Sequence, residues 1–158
     1  MTTKVTEKQT TRRDVRERAM QVLYAYELSK EPIEMLVETI AGRDLDAEPD
    51  LYKFAQQLVY TVLNHRHESD PAIKALAENW DFERIAVLDR VLLRMGYCEF
   101  LFFPDIPVKV TMNEYVAIAK RFSTANSGSF INGMLNALLT DMRAKGLATK
   151  SGRGLIDA

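Results

Sequence analysis

Residues 107–139 read PVKVTMNEYVAIAKRFSTANSGSFINGMLNALL, and their periodicity decides the fold class. Two amphipathic helices joined by a polar turn are predicted. In the first, Val110, Asn113, Glu114, Ala117, Ile118 and Phe122 recur at helical spacing. In the second, Phe130, Ile131, Met134, Leu135, Leu138 and Leu139 do the same. Between them, Ser123-Thr124-Ala125-Asn126-Ser127-Gly128 is breaker and capping chemistry. Asn113-Glu114 falls on the apolar stripe, and Asn132-Gly133 interrupts the second helix near its start. A buried Asn must find partners, and a helical Gly costs about 1 kcal/mol against Ala. Two readings follow. Either Gly133 lets two helices approach and Asn132 caps, or the pair holds the turn for a ligand.

Upstream, the same period returns. A helix is predicted from about Arg12 to Ser29, with Val15, Ala19, Val22, Leu23 and Tyr26 on its buried stripe. At about 100° per residue, Arg13, Arg16, Glu17, Met20 and Tyr24 fall on the opposite side. Arginines followed by an exposed tyrosine suit phosphate contacts beside a stacking platform for a base. They suit an ordinary solvated face as well. Pro32 opens a short second helix through Ile33, Leu36, Val37 and Ile40. Residues 42–50 read as an acidic loop. Asp50 caps a third helix carrying Leu51, Phe54, Ala55, Leu58, Val59, Val62 and Leu63. Ser69-Asp70-Pro71 reads as a restart, with a fourth helix running through Ile73, Leu76 and Ala77 to Trp80. From Asp81 to Phe103, Ile85, Leu88, Val91, Leu92, Met95 and Phe102 keep helical spacing. That helix is apolar almost all round and belongs at the centre. Asp89 is expected to point outward near Arg90. Phe102-Phe103-Pro104 ends the helix. No strand is predicted, because residues 100–103 lack alternation.

Composition sets the outer bounds. At 158 residues the chain is one domain, or two small subdomains sharing a core. Residues 1–10 read as a disordered tail, 11–145 as a single helical domain and 146–158 as a flexible tail. The lone cysteine, Cys98, excludes an internal disulfide framework and suits a reducing cytosol. No apolar run reaches transmembrane length, and the N-terminus lacks the apolar segment of a secretory signal. A cytoplasmic protein is expected, with no membrane partner. The net charge of -1 hides an asymmetry: residues 12–18 hold four arginines against two acids, and residues 31–50 hold seven acids against one arginine. A basic end of this kind can bind a polyanion despite the neutral total.

Several chemistries are missing. No glycine-rich phosphate loop, Walker lysine or Cys-x-x-Cys pair occurs. His65 and His67 do not share a helix face and have no third histidine or cysteine beside them, so no metal site is expected. The scattered carboxylates define no acid–base pair. An enzyme is not expected, and no cofactor is implied. Residues 130–139 lack the basic and amide side chains of a DNA recognition helix.

Four stretches together resemble the NusB family. Arg12-Arg13 through Tyr24 is similar to its opening helix, and Leu93-Arg94-Met95-Gly96-Tyr97-Cys98-Glu99-Phe100 to its central helix. Ile106-Pro107-Val108 to Asn113-Glu114, with Ala119-Lys120-Arg121-Phe122, resembles the next. Ser127 to Asn136, with Phe130-Ile131-Asn132-Gly133-Met134-Leu135, resembles the last. The match spans about residues 10–143 in order. It implies an all-α fold of about seven helices in two three-helix subdomains. It also implies a non-enzymatic transcription antitermination factor. Such a factor binds the boxA element of nascent ribosomal RNA with NusE, a small-subunit ribosomal protein, in a complex on RNA polymerase. Single-stranded RNA can lie on a basic helix with bases splayed onto aromatics. By position, Arg12, Arg13, Arg16 and Tyr24 would face RNA, with Lys120 and Phe122 extending that surface. Glu83, Asp89 and Asn126 would face the basic NusE.

The chain departs from the family pattern at Ser129, where a basic residue is common, and at Asn126, where an acid is common. Gly96-Tyr97-Cys98-Glu99 stands in place of Ala-Leu-Tyr-Glu. The first change removes a phosphate contact, and the second reduces repulsion toward RNA. Two alternatives share the fold: a helical adaptor that binds only protein, and the detached NusB-like domain of a ribosomal RNA cytosine methyltransferase. A monomer or weak homodimer is expected, with RNA and NusE binding cooperatively.

Overall fold

Thr11 starts the first helix by a reciprocal cap. Its hydroxyl accepts from the Asp14 N–H at 3.3 Å, and the Asp14 carboxylate accepts from the Thr11 N–H at 2.8 Å. The computed structural model describes residues 9–77 and 81–156. Helix α1 runs Arg12–Ser29 and stops at Lys30, whose φ of 57° is left-handed. Helix α2 begins at Ile33–Leu36, widens into a π-helical stretch Val37–Gly42 and continues through Arg43–Leu45. The segment read as an acidic loop from Gly42 is therefore helical to Leu45. Helix α3 is Pro49–Asn64. Glu48 sits at its cap position and Pro49 at its first, so Asp50 lies inside the first turn. There its charge still complements the helix dipole. Helix α4, Arg66–Leu76, carries Pro71 in its interior, so Ser69-Asp70-Pro71 does not restart a helix. Lacking an N–H, Pro71 removes one backbone bond from the helix, and its ring crowds the carbonyl four residues back. The expected extension to Trp80 lies outside the described residues.

A 3-10 turn, Phe82–Arg84, capped by Asp81, precedes helix α5, Val87–Phe102. Ile85 and Ala86 are extended, so the single helix expected from Asp81 is broken in two. Helices α6, Val108–Phe122, and α7, Ser127–Ala144, flank the polar turn as expected. Among the described residues there is no strand. Helices α1, α2 and α3 pack on one another, as do α5, α6 and α7. Helix α4 bridges α3 to α5 and α7. Every residue from Val91 to Phe100 is buried, and α5 touches α1, α3, α4, α6 and α7.

Two glycines allow this packing. A Cβ on Gly96 would lie 2.5 Å from Leu135 Cδ2, so α7 closes on α5 only because that side chain is missing. Gly133 is exposed and a Cβ there would meet nothing within 4 Å, so a close approach of two helices does not explain it. The stripe of α6 is rotated from the one expected. Val108, Thr111, Tyr115, Ile118 and Ala119 face inward, while Asn113 and Val110 are exposed. The C-terminal stretch, expected as a flexible tail, has defined contacts as far as Ile156. It forms a short 3-10 turn, Gly152–Leu155, against the α5–α6 connection.

Candidate nucleic-acid interface

The arginines of α1 divide according to what surrounds them. Helix α1 is packed between α3 and α5, so the face opposite Val15 and Ala19 is covered as well. Arg16 is 2% exposed. Its Nε and Nη2 donate to the two oxygens of Glu99, both at 2.9 Å. Thr111 Oγ1 donates to the same carboxylate at 3.0 Å, and the Tyr115 hydroxyl completes it. Burial pulls the Arg16 pKa down, but the Glu99 charge and hydrogen bonds outweigh that and raise it. Burial, then Glu99, holds the Tyr115 hydroxyl well above its ordinary value. Arg16 is thus not the surface phosphate contact expected of it. It locks α1 onto α5 and α6, and a charge so deep can stay only because it is paired.

Arg13 projects from the end of α1 and forks onto Glu114, Nε to Oε2 at 2.7 Å and Nη2 to Oε1 at 3.0 Å. Its pKa is raised, first by those hydrogen bonds and then by the Glu114 charge. Glu114 therefore serves as Arg13's anchor, not as an oddity on a buried stripe. Arg12 is exposed and lies 4.8 Å from the centroid of the Phe54 ring. At the far end of α6, Arg121 donates to Glu17 at 3.0 Å and stands 4.9 Å over the Phe122 ring. Phe122 is partly exposed, and Lys120 is exposed. The Lys120 stem lies across Gly128, where a Cβ would be 2.7 Å from Lys120 Cγ. Tyr24 is 39% exposed, on the solvent edge of α1.

Two adjoining grooves run between these groups, sharing Asp14, Glu17 and Arg121. The larger, about 790 Å3, is lined by Arg12, Arg13, Asp105, Glu114, Arg121 and Arg153, among others. The smaller, about 380 Å3, lies beside Arg18, Gln21, Asp44 and Phe122. Tyr24 and Lys120 line neither. Arg18, Arg121 and Arg153 were missed in the sequence. Arg121 could have been found, because it follows Lys120 on the last turn of α6.

The acidic positions separate too. Glu83 is exposed and pairs with Arg90 at 3.2 Å. Asp89 does not point outward. It is buried and accepts from Ser123 Oγ at 3.1 Å and Ser127 Oγ at 3.2 Å, clasping the α6–α7 turn to α5. A carboxylate committed in this way is not free for a partner protein. Asn126 is exposed at the cap of α7 without a side-chain capping bond. Asp70, read as part of a restart, instead takes Arg94 at 2.7 Å and 3.1 Å, while Glu27 takes the same guanidinium at 3.1 Å. Among the described residues no cluster of His, Cys, Asp and Glu is placed to hold a metal. His65 stacks on Phe102 at 3.9 Å.

The fold and the site define a small helical protein with a grooved, arginine-bearing end and an exposed aromatic beside it. Residues 13–140 match the NusB family, and the chain belongs to that family. It is 42% identical over 145 residues to the transcription antitermination protein NusB of Salinibacter ruber, covering 92% of this chain and 91% of that one. It is 40% identical over 146 residues to the protein of that name from Chloroherpeton thalassium, covering 92% and 69%. The fold is similar to T. maritima NusB, with a TM-score of 0.78 and 32% identity over 85% of this chain and 94% of that one. It is also similar to a crystal structure of the antitermination factors NusB and NusE in complex with dsRNA. There the TM-score is 0.75 and the identity 26%, over 82% of this chain and 96% of that one.

Proposed function

We propose that this chain is a transcription antitermination factor. It binds boxA RNA of nascent ribosomal RNA together with NusE, in a complex associated with RNA polymerase. The observation that carries this reading is the pair of arginine-lined grooves at the start of α1, in a chain of the NusB family. A phosphodiester strand laid there meets Arg12 and Arg13, with Phe122 offering a ring face to an unstacked base, while Lys120 and Tyr24 stand outside the grooves, where only a strand that continues beyond them would reach. Glu83 and Asn126 remain as surface positions for the basic partner, while Asp89 is withdrawn. The chain acts by binding and catalyses no reaction. Its place of action is the cytoplasm, in keeping with described helices that are nowhere long and apolar enough to cross a membrane.

RNA binding by this chain alone is weak, because Arg13 and Arg121 already hold carboxylates. A phosphate must compete with Glu114 and Glu17 for them, and NusE adds the contacts that make the complex stable. The test is fluorescence anisotropy of a labelled boxA-type RNA, titrated with the chain, with and without NusE, at two salt concentrations, beside a scrambled RNA. Sequence-selective, salt-sensitive binding that NusE tightens is the expected result. Equal weak binding to both RNAs, unmoved by NusE, would replace this reading with a protein-only adaptor.

A further inference from the structure

We infer that the C-terminal segment, residues 148–156, forms a wall of the RNA groove and contributes Arg153 as a phosphate contact. The inference rests on the RNA-binding reading and adds an element outside residues 13–140, where the family match lies.

The segment is anchored at several points. Lys150 Nζ donates to the carbonyls of Glu99 and Phe103, both at 2.9 Å, at the C-terminal end of α5. A cation is favoured at that end of a helix. The Ser151 N–H donates to the Pro104 carbonyl at 3.0 Å. Gly154 is buried so tightly that a Cβ there would fall 1.9 Å from Pro104 O, so a residue with a side chain cannot take its place without moving the backbone. These contacts seat Arg153 and Ile156 on the same groove as Arg12 and Arg13.

Charge decides what the segment does there. Five arginines line the groove against four carboxylates, Asp14, Glu17, Asp105 and Glu114. Arg13, Arg16 and Arg121 are each held by a carboxylate. Arg12 and Arg153 are exposed and have no carboxylate partner among the described residues. Glu99 neutralises Arg16 from behind the lining, so the five arginines meet five carboxylates in all, and without Arg153 the groove would be one charge negative. The same groove exposes Val110 and Ile156, apolar faces beside cations. Alternating charge and apolar surface in an open cleft suits a single-stranded nucleotide chain.

The test is the salt dependence of RNA binding by the full chain carrying Arg153→Ala, with Arg153→Glu and Arg13→Ala beside it. Arg153→Ala is expected to weaken boxA-type RNA binding by about three- to tenfold at low salt. The slope of log K against log salt should fall by about 0.7, the value for one phosphate of a single strand. Arg153→Glu should lose more, and thermal melting should not move in either, because the side chain is exposed. Gly154→Val, which undocks the segment, should lose as much affinity as Arg153→Ala. Adding Arg153→Ala to it should then lose nothing further. If the unaltered chain binds and Arg153→Ala matches it in affinity and slope, the inference is overturned while the RNA reading stands. Tighter binding by Arg153→Ala would overturn it too, since the segment would then compete with RNA. A chain that binds no RNA even with NusE removes the underlying reading itself.

Discussion

Glu99 is the residue on which the placement of the surface arginines depends. It is fully buried, yet Arg16 Nε, Arg16 Nη2, Thr111 and Tyr115 together supply four donors to its two oxygens. A carboxylate satisfied in this way is tolerated in a core. Glu99→Gln keeps the shape but removes the charge opposite Arg16 and inserts an amide N–H₂ where donors already point. Loss of one partner of a buried pair costs about 3–5 kcal/mol. Urea unfolding of Glu99→Gln should show a loss of that order, and an unchanged midpoint would mean that the pair does not hold the core. Arg16→Ala should likewise unfold the protein more easily, whereas Arg13→Ala should reduce RNA affinity and leave the midpoint nearly untouched. The sequence displays Arg13 and Arg16 on one side of a helix and says nothing of what lies on that side. Their difference appears only once α5 brings Glu99 against α1. One clue was available: from Met95 to Phe102 Glu99 is the single charge in an otherwise uncharged stretch of the helix, and such a charge requires a partner.

Elements were more legible than their edges. Helices α1, α3, α5 and α7 carry enough apolar residues at the right period to be read without the structure. The phase of α6 was not legible, because Thr111 and Tyr115 turn inward to reach Glu99 while Val110 is left outside. Hydrophobic periodicity cannot register an inward hydroxyl whose acceptor lies on another helix. The α4 start was misread for a related reason: a proline that normally marks a boundary is carried within the helix. The glycines give this scale a paired test. Gly96→Ala drives a methyl into Leu135 and should cost about 1–3 kcal/mol, the usual range for an overfilled core. Gly133→Ala meets nothing and replaces a flexible residue on an exposed helix surface, so it should stabilise by up to about 1 kcal/mol. Melting temperatures should move in opposite directions. Movement of both the same way would contradict the packing described for α5 against α7.

Across the whole molecule, charge for binding and charge for stability are kept apart, and pH should separate them. The grooves are lined by arginines and carboxylates, and His65 and His67 line neither. Arginine keeps its charge throughout the neutral and mildly alkaline range, and Glu114 raises the Arg13 pKa further. RNA affinity should therefore respond steeply to salt and be flat between about pH 7 and 9. Stability has its own limit in the core. Burial pushes the Cys98 thiol from its ordinary value of 9.0 up to about 12, and burial likewise raises the Tyr97 and Tyr115 hydroxyls. Above pH 9 the unfolded chain releases the Cys98 proton while the folded chain retains it. The unfolded state then binds fewer protons, so rising pH favours it. The contribution of Cys98 is complete below pH 9 and is lost as pH climbs toward 12, with the tyrosines adding loss above their ordinary value of 10.0. Urea midpoints taken at intervals from pH 7 to 11 should hold steady at first and then fall, while anisotropy titrations at pH 7 and 9 should overlay. A midpoint that rose through this range would reverse the assignment of Cys98 as a buried neutral thiol. An RNA affinity that dropped between pH 7 and 9 would place a titrating group in the grooves, where arginine alone is expected to carry the positive charge.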